Sequence, residues 1–303
     1  AIVDEQHRFG VHQRLGLSSK GNKADVLVMT ATPIPRTLVL TAYGDMEYSK
    51  IDQVPEGRKP VDTRVLPVDK ISEVVAALKR KIDSGCRAYW VCPLVEESEK
   101  SDLAAAEERF AALQKIFGRD VGLVHGKMKE KEKDAVMERF KKGELKLLVA
   151  TTVIEVGVNV PEATVMVIEH AERFGLAQLH QLRGRIKRGF EASTCILMYA
   201  YPLSETAHQR LNIMKETEDG FLIAEKDLEL RGGGEILGTR QSGFSEFRLA
   251  DMNVHQNLLH TANQDAKMIL ELDPNLQTPR GQALRILLYL FERDDAVKTY
   301  IAG

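Results

Sequence analysis

Between residues 61 and 200 the sequence alternates short, continuously apolar runs with longer segments whose apolar residues recur every three or four positions. The runs are TRVLPV (63–68), AYWVCPLV (88–95), VGLVH (121–125), LKLLVAT (145–151), TVMVIEH (164–170) and TCILMYA (194–200). A strand that is apolar on consecutive residues is buried on both faces, and this is the mark of a parallel sheet covered by helices. The intervening segments have helical spacing. Ile71, Val74, Val75, Leu78 and Ile82 share one face, and Leu103, Ala106, Phe110, Leu113 and Phe117 share another. KEKEKDAVMERFKKG and LAQLHQLRGRIKR supply two further helices. The alternation predicts an α/β fold, a doubly wound parallel sheet with helices on both faces.

The flanks differ. Two apolar runs, Ile2-Val3 and VLVMTAT (26–32), read as buried parallel strands, and VPEGRKPV (54–61), with its two prolines and no periodicity, reads as a linker. Beyond about 203 the strand signal ends. Helical text (SETAHQRLNIMKETEDGFLIAEKDLEL) leads to a glycine-rich loop, RGGGEILGTRQSG, and to more helix. There Leu284, Leu287, Leu288 and Phe291 form a stripe expected to pack on a neighbour. A chain of 303 residues can hold two ordinary cores and an appendage.

Composition narrows the function classes. With 42 Lys and Arg against 44 Asp and Glu, the net charge of −2 exerts no global pull on nucleic acid, so any such contact must come from local patches. Cys86, Cys92 and Cys195 have no metal-ligand spacing and read as buried free thiols of a reducing compartment. No apolar run reaches the roughly 18 residues of a membrane span, and the start is unlike a signal peptide. The expected location is the cytoplasm.

Three motifs carry chemistry, each with a plainer alternative. Asp4-Glu5 follows an apolar run, as in nucleotide hydrolases where such a pair holds Mg²⁺ and polarises a water, but it also fits a polar loop end. In QLRGRIKRG, the residues Gln181, Arg185 and Arg188 fall at i, i+4 and i+7 with Gly184 between them. Such arginines can neutralise a transferring phosphoryl group, or simply complement the helix dipole in a last turn closed by Gly189. ATTVIEVGVNVP (150–161) ends a strand in two hydroxyls before a glycine, suiting close approach of phosphates or an unliganded turn. No G-x-x-x-x-G-K-[ST] occurs; Gly122 to Met128 has one residue too few and Met in place of the hydroxyl.

Taken in order, DEQH, TAT (Thr30–Thr32), HGKM, ATTVIEVGVNVP and QLRGRIKRG resemble motifs II, III, the segment before V, V and VI of superfamily 2 helicases, built from two RecA-like domains. The resemblance narrows to the RecG family of bacterial fork helicases through DEQHRFGVHQR, MTATPIPRTL, EGRKPV, VCPLVEESE, IEHAERFGLAQLHQLRGR and ELRGGGEILGTRQSG. It covers nearly the whole chain. The transcription-repair coupling factor shares much of this pattern but usually has Glu where Gln6 stands.

The resemblance implies that residues 1–58 are the trailing part of RecA-like domain one, 59–200 RecA-like domain two, and 201–303 a helical translocation hairpin and tail. On that reading the chain starts after the phosphate-binding loop and the DNA-binding wedge domain, and by itself does not hydrolyse ATP. Asp4 is implied to coordinate Mg²⁺, Glu5 to activate water, and Gln6 and His7 to sense the nucleotide. Arg185 and Arg188 are implied arginine fingers, with Gln181 and Gly157 beside the nucleotide. Thr30, Thr32, Thr151 and Thr152, with Arg231, Arg240 and Gln241 of the hairpin and its loop, are implied to touch DNA or couple hydrolysis to movement. The implied cofactors are ATP and Mg²⁺, and the implied partner is branched double-stranded DNA, replication forks and Holliday junctions, acted on by a monomer in repair and recombination.

Two positions depart from the family pattern. Lys187 replaces a glycine after Arg185, which should stiffen the turn and add charge, and Gly233 replaces a proline, which should loosen the loop. Two other classes stay in view: a DNA-binding or interaction module without catalysis, centred on Arg231 to Arg240, and an RNA helicase of the DEAD-box kind, disfavoured by the absence of a DEAD sequence.

Overall fold

The computed structural model describes residues 1–4, 27–30, 49–51, 53, 56–93, 99–151, 160–186, 191–231 and 255–291. Its chain divides into two compact units, one of residues 50–227 and one that joins residues 1–49 to 228–303.

The first unit is built on six parallel strands: β3 (Val61–Pro67), β4 (Arg87–Val91), β5 (Val121–Val124), β6 (Leu147–Ala150), β7 (Ala163–Ile168) and β8 (Ser193–Tyr199), in the spatial order β3-β8-β7-β4-β6-β5. The helices between them are α1 (Ile71–Asp83), α2 (Glu99–Phe117), α3 (Glu130–Lys141) and α4 (Leu176–Gly184). Two more, α5 (Glu205–Glu216) and α6 (Gly220–Arg231), follow β8. The expected division at residue 200 falls inside this unit, because α5 packs on β3 and on the turn after β7.

Every residue of β6 and β7 is buried, as their continuous apolar text requires. The core on one face joins Val74, Leu78 and Ile82 of α1, Ala106 and Leu113 of α2, and Trp90, Val121, Leu147, Val149, Val165 and Val167 of the strands. The α1 stripe is therefore as read. Phe110 and Phe117 of α2 are only partly buried at the margin of this core.

Helix ends are fixed by local chemistry. Ser204 caps α5 by accepting from the Ala207 N–H at 3.2 Å. Asp219 starts α6 by accepting from Phe221 N at 2.8 Å, and it breaks what would otherwise read as one long helix. Arg87 donates to the Phe140 and Lys141 carbonyls at 3.0 and 2.8 Å, placing its charge on the negative end of α3.

In the second unit, β1 (Ile2–Val3) and β2 (Leu27–Val28) pair in parallel. The expected burial holds at Val3, whereas Ile2 and Leu27 are exposed. Helices α7 (Gln256–Leu272) and α8 (Pro279–Leu290) are joined by a short turn. Leu284, Leu288 and Phe291 of the expected stripe are half-covered, and Leu287 is exposed.

That turn is organised by Asp273. Its carboxylate accepts from Gln277 N (2.8 Å), Thr278 N (2.8 Å) and Thr278 Oγ1 (2.7 Å), while Thr278 caps α8 through Gly281 N at 3.1 Å. The Thr278 hydroxyl and the backbone N–H groups hold this carboxyl below its ordinary value of 3.8. A depressed folded pKa stabilises the turn above the unfolded value and loses that contribution as pH falls through the folded one. Protection of the Gln277 and Thr278 amides from hydrogen exchange should therefore drop in Asp273→Ala at neutral pH, and the difference from wild type should shrink below about pH 3.8.

All three cysteines are free, and Cys92 and Cys195 are buried as expected, while Cys86 is half-exposed. Burial pushes the Cys195 thiol up to about 12 and the Cys92 thiol higher still. Iodoacetamide at pH 8 should accordingly alkylate Cys86 alone in the native chain and all three thiols in urea, as read by intact mass.

Candidate functional site

In an open parallel sheet, ligands sit beyond the carboxyl ends of the strands, where neighbouring connections leave in opposite directions. Here that point lies between β4 and β7. The chain leaves β4 for β5 at one edge, and leaves β7 for β8 on the other side. The two strand ends are tied together at this divergence. Glu169 N donates to Val91 O at 2.9 Å, and the Glu169 carboxylate accepts from Trp90 Nε1. Arg109 of α2 completes the cluster with an Nη2 contact of 3.1 Å to Glu169 and its guanidinium 5.8 Å from the Trp90 ring.

The next residue, His170, adopts a left-handed backbone with φ of 49°, uncommon outside glycine and a frequent mark of functional turns. Its Nδ1 lies 3.0 Å from Glu172, whose other oxygen accepts from Ala200 N at 3.4 Å. Burial opposes ionisation of Glu172, but the His170 and backbone bonds outweigh it and hold this carboxyl below the usual range. The turn so fixed leads directly into α4, which carries Gln181.

Helix α4 is shorter than its text suggests. It ends at Gly184, and the chain continues in a tighter turn in which Arg185 N reaches Leu182 O (2.9 Å) and Ile186 N reaches Arg183 O (3.3 Å). Gln181 therefore stands on the helix and Arg185 in the turn that follows it. Without a side chain, Gly184 has the lowest propensity of any residue here except proline to continue the helix. Gln181 and Arg185 are both half-exposed, and Arg188 lies outside the described residues.

Between them stands a residue that the spacing argument passed over. Arg183 is 3% exposed. It donates to Met214 O at the end of α5 (2.6 Å) and to Thr63 Oγ1 of β3 (3.4 Å), and its other terminal nitrogen lies 3.4 Å from His180 Nδ1. Its position four residues after buried Leu179 and seven after buried Leu176 was the available signal, since that is the inward stripe of α4. Next to it, Glu218 accepts from Val61 N, so the α5–α6 corner is pinned to the first residue of β3.

On the other side of β4, Thr151 follows β6 and is 2% exposed, with its N–H on Val124 O at 3.3 Å. Neither its hydroxyl nor His125 Nδ1 at the end of β5 has a hydrogen-bond partner among the described residues. A buried hydroxyl left unpaired costs about 1–3 kcal/mol, which a phosphate oxygen or another incoming acceptor would relieve.

In the second unit, the β1–β2 register brings Asp4 and Thr30 to the same carboxyl end, with Met29 N donating to Val3 O at 2.7 Å. Asp4 is exposed and Thr30 half-exposed. Arg231 ends α6. Glu5, Gln6, His7, Thr32, Thr152, Gly157, Arg240 and Gln241, as well as Lys187 and Gly233, lie outside the described residues. No group of three or more metal-ligating side chains occurs among the described residues. An exposed carboxylate such as Asp4 suits Mg²⁺, which is commonly held by one or two carboxylates together with substrate phosphates.

Residues 69–189 match the helicase conserved C-terminal domain, and residues 217–293 match the C-terminal part of domain 3 of the ATP-dependent DNA helicase RecG. Over 90% of its length the chain is 54% identical to the RecG helicase of Acidithiobacillus ferridurans and 53% identical to that of Escherichia coli K12. The Bacillus subtilis RecG is 51% identical over 94% of the chain. The chain belongs to the RecG family. It spans about 40% of the length of these RecG relatives. A solved RecG bound to a three-way DNA junction superposes with a TM-score of 0.64 at 43% identity, over 85% of this chain and 33% of that one. The Mycobacterium smegmatis helicase Lhr, at 17% identity and a TM-score of 0.52 over 86% of this chain and 33% of that one, shares the fold. The doubly wound sheet is thus the RecA-like α/β fold that the strand pattern and the motif order implied. Among the described residues, no helix is long and apolar enough to cross a membrane.

Loss of Arg183 should cost folding free energy. Arg183→Ala leaves the Met214 carbonyl and Thr63 hydroxyl without their donor and should lower stability by about 1–3 kcal/mol in urea denaturation. Lysine, a point donor without the planar fork, should restore only part of the loss.

Proposed function

We propose that these 303 residues are the carboxyl-terminal motor portion of an ATP-dependent double-stranded DNA translocase that remodels branched DNA, such as stalled forks and Holliday junctions. The carrying observation is identity above 50% to RecG helicases across nine-tenths of the chain. The parallel β1–β2 pair that sets Asp4 beside Thr30 supports it, because the segments resembling motifs II and III belong at adjacent strand ends. In this reading residues 1–58 complete a first RecA-like domain, 59–200 form the second, and 201–303 carry the translocation module.

The chemistry is attack of water on the γ-phosphate of ATP, with catalysis mainly by placed charge. Asp4 would hold Mg²⁺, which would supply positive charge to offset that of the phosphates. Glu5 orients the water and accepts its proton, and Gln6 and His7 report the nucleotide state. Arg185 and Arg188 act as arginine fingers on the transferring phosphoryl group, with Gln181 and Gly157 beside the nucleotide. The turn after α4 suits that role, since a residue just past a helix end can extend away from the helix barrel. Thr30, Thr32, Thr151 and Thr152 couple the site to DNA. Thr151 is buried with its hydroxyl unpaired among the described residues, a donor that an incoming phosphate oxygen would take up. Arg231, Arg240 and Gln241 grip the duplex during the step.

The readout is ATP turnover by the intact protein with a forked DNA substrate. Glu5→Gln and Arg185→Ala should each lower kcat by at least 100-fold while leaving fork binding within about threefold. A linear single-stranded RNA that stimulates turnover more than forked DNA would instead favour the RNA-helicase reading. A polypeptide of these 303 residues alone should turn over no ATP, because no phosphate-cradling lysine loop lies within it. DNA-stimulated turnover by that polypeptide, abolished in Glu5→Gln, would refute this.

A further inference from the structure

Strand β5 closes one side of the six-stranded sheet and pairs only with β6, Val121 with Leu147 through Val124 with Ala150. Lys146 N donates to Asp120 O at 2.8 Å and Thr151 N to Val124 O at 3.3 Å, so the even-numbered residues turn their backbone groups toward β6. Backbone groups of successive strand residues alternate in direction. The N–H and C=O of Val121 and Leu123 therefore face away from β6, and no backbone partner meets them there among the described residues.

A groove of about 460 Å³ runs along this edge. Its walls come from both helical layers. Val121 and Leu123 pack with Leu113 and Phe110 of α2, whereas Gly122 points at Val136 of α3, where an added Cβ would lie 3.1 Å from Cγ1. Phe110 and Gln114 on one side and Val136 and Arg139 on the other line the same groove, so the two layers overhang the strand edge between them.

The groove's charges have one sign. Arg119 and Arg139 line it, with no carboxylate in the lining. Arg119 has no ion-pair partner among the described residues, and Arg139 holds Glu144 at 3.3 Å in a pair 54% exposed on both sides. A pair that open contributes little, so Arg139 can turn to an incoming carboxylate at small cost. Asp120, which follows Arg119 in the chain, is engaged by Lys146 at 3.2 Å.

We propose that the β5 edge is a strand-addition site for an extended, acidic segment of a partner protein. The segment joins the sheet through the outward backbone groups of Val121 and Leu123. Its apolar side chains enter the Phe110–Val136 groove, and its carboxylates meet Arg119 and Arg139. Main-chain pairing supplies affinity, and the alternating pockets supply selectivity.

The test uses the full chain and a fluorescein-labelled octapeptide alternating valine and glutamate, followed by anisotropy. Saturable binding is expected, lost when alternate peptide amides are N-methylated and weakened at least tenfold when glutamate is replaced by lysine. Arg119→Glu with Arg139→Glu should weaken binding at least tenfold without changing the melting temperature or forked-DNA-stimulated ATP turnover of the intact protein. Equal binding of the N-methylated peptide, or undiminished binding by the double variant, would overturn the proposal. So would a single-stranded oligonucleotide that displaces the peptide and itself loses affinity in the double variant, which would make the groove a nucleic-acid contact. The N-methylated peptide tests strand addition with the wild-type chain, so the result does not depend on the variant folding.

Discussion

A strand sealed from water on both faces must satisfy every backbone group through its neighbours, and must not end on a stray charge. β4 and β7 meet the first condition by pairing with each other and with β6 and β8. The second is met at one residue, Glu169, the first charge after the sealed run of β7. Its carboxylate is taken by Trp90 from the neighbouring strand and by Arg109 from the helix above, so two divergent connections are held at a common point. Removing one partner of such a nearly buried pair costs far more than the pair adds over an apolar substitute, which gives it the character of a fastener more than of a source of stability. What the six-stranded sheet offers to a ligand hangs from these strand ends.

From that fastener the chain runs through His170 and Glu172 into α4, and from α4 through Arg183 to the end of α5 and the edge of β3. The half-exposed Gln181 is borne on a helix whose inner side is fixed at both ends, and Arg185 lies in the turn just past it. Arg183 contributes through geometry: a planar group with several donors can serve a helix end and a strand hydroxyl together.

Much of this was legible in the text. Continuous apolar runs announced β4 through β8, and the i, i+3, i+4 stripe announced α1, because burial on two faces or one leaves a periodic trace. The family resemblance rested on motif order, and the relatives carry it. Three features left no such trace. The end of α4 at Gly184 is one, because the tighter turn at Arg185 and Ile186 depends on contacts made in three dimensions. Arg183 falls on the inward stripe of α4, but that periodicity says nothing of the bonds it makes to α5 and β3. The grouping of α5 and most of α6 with the six-stranded sheet is set by contacts with β3 over a sequence separation that no local pattern encodes, of which Val61 to Glu218 is an instance.

The two margins of the six-stranded sheet are unequal. At β3 the first amide is occupied by Glu218 and helix α5 lies against the strand, while β5 presents its outward amides to an open groove. A sheet with two open margins can be copied end to end without limit, each molecule templating the next. With one margin stoppered, growth by strand addition ends after a single step, and β5 can take a guest without the guest's host being able to line up a second molecule behind it. The Glu218 bond to β3 thus doubles as a stop against filaments.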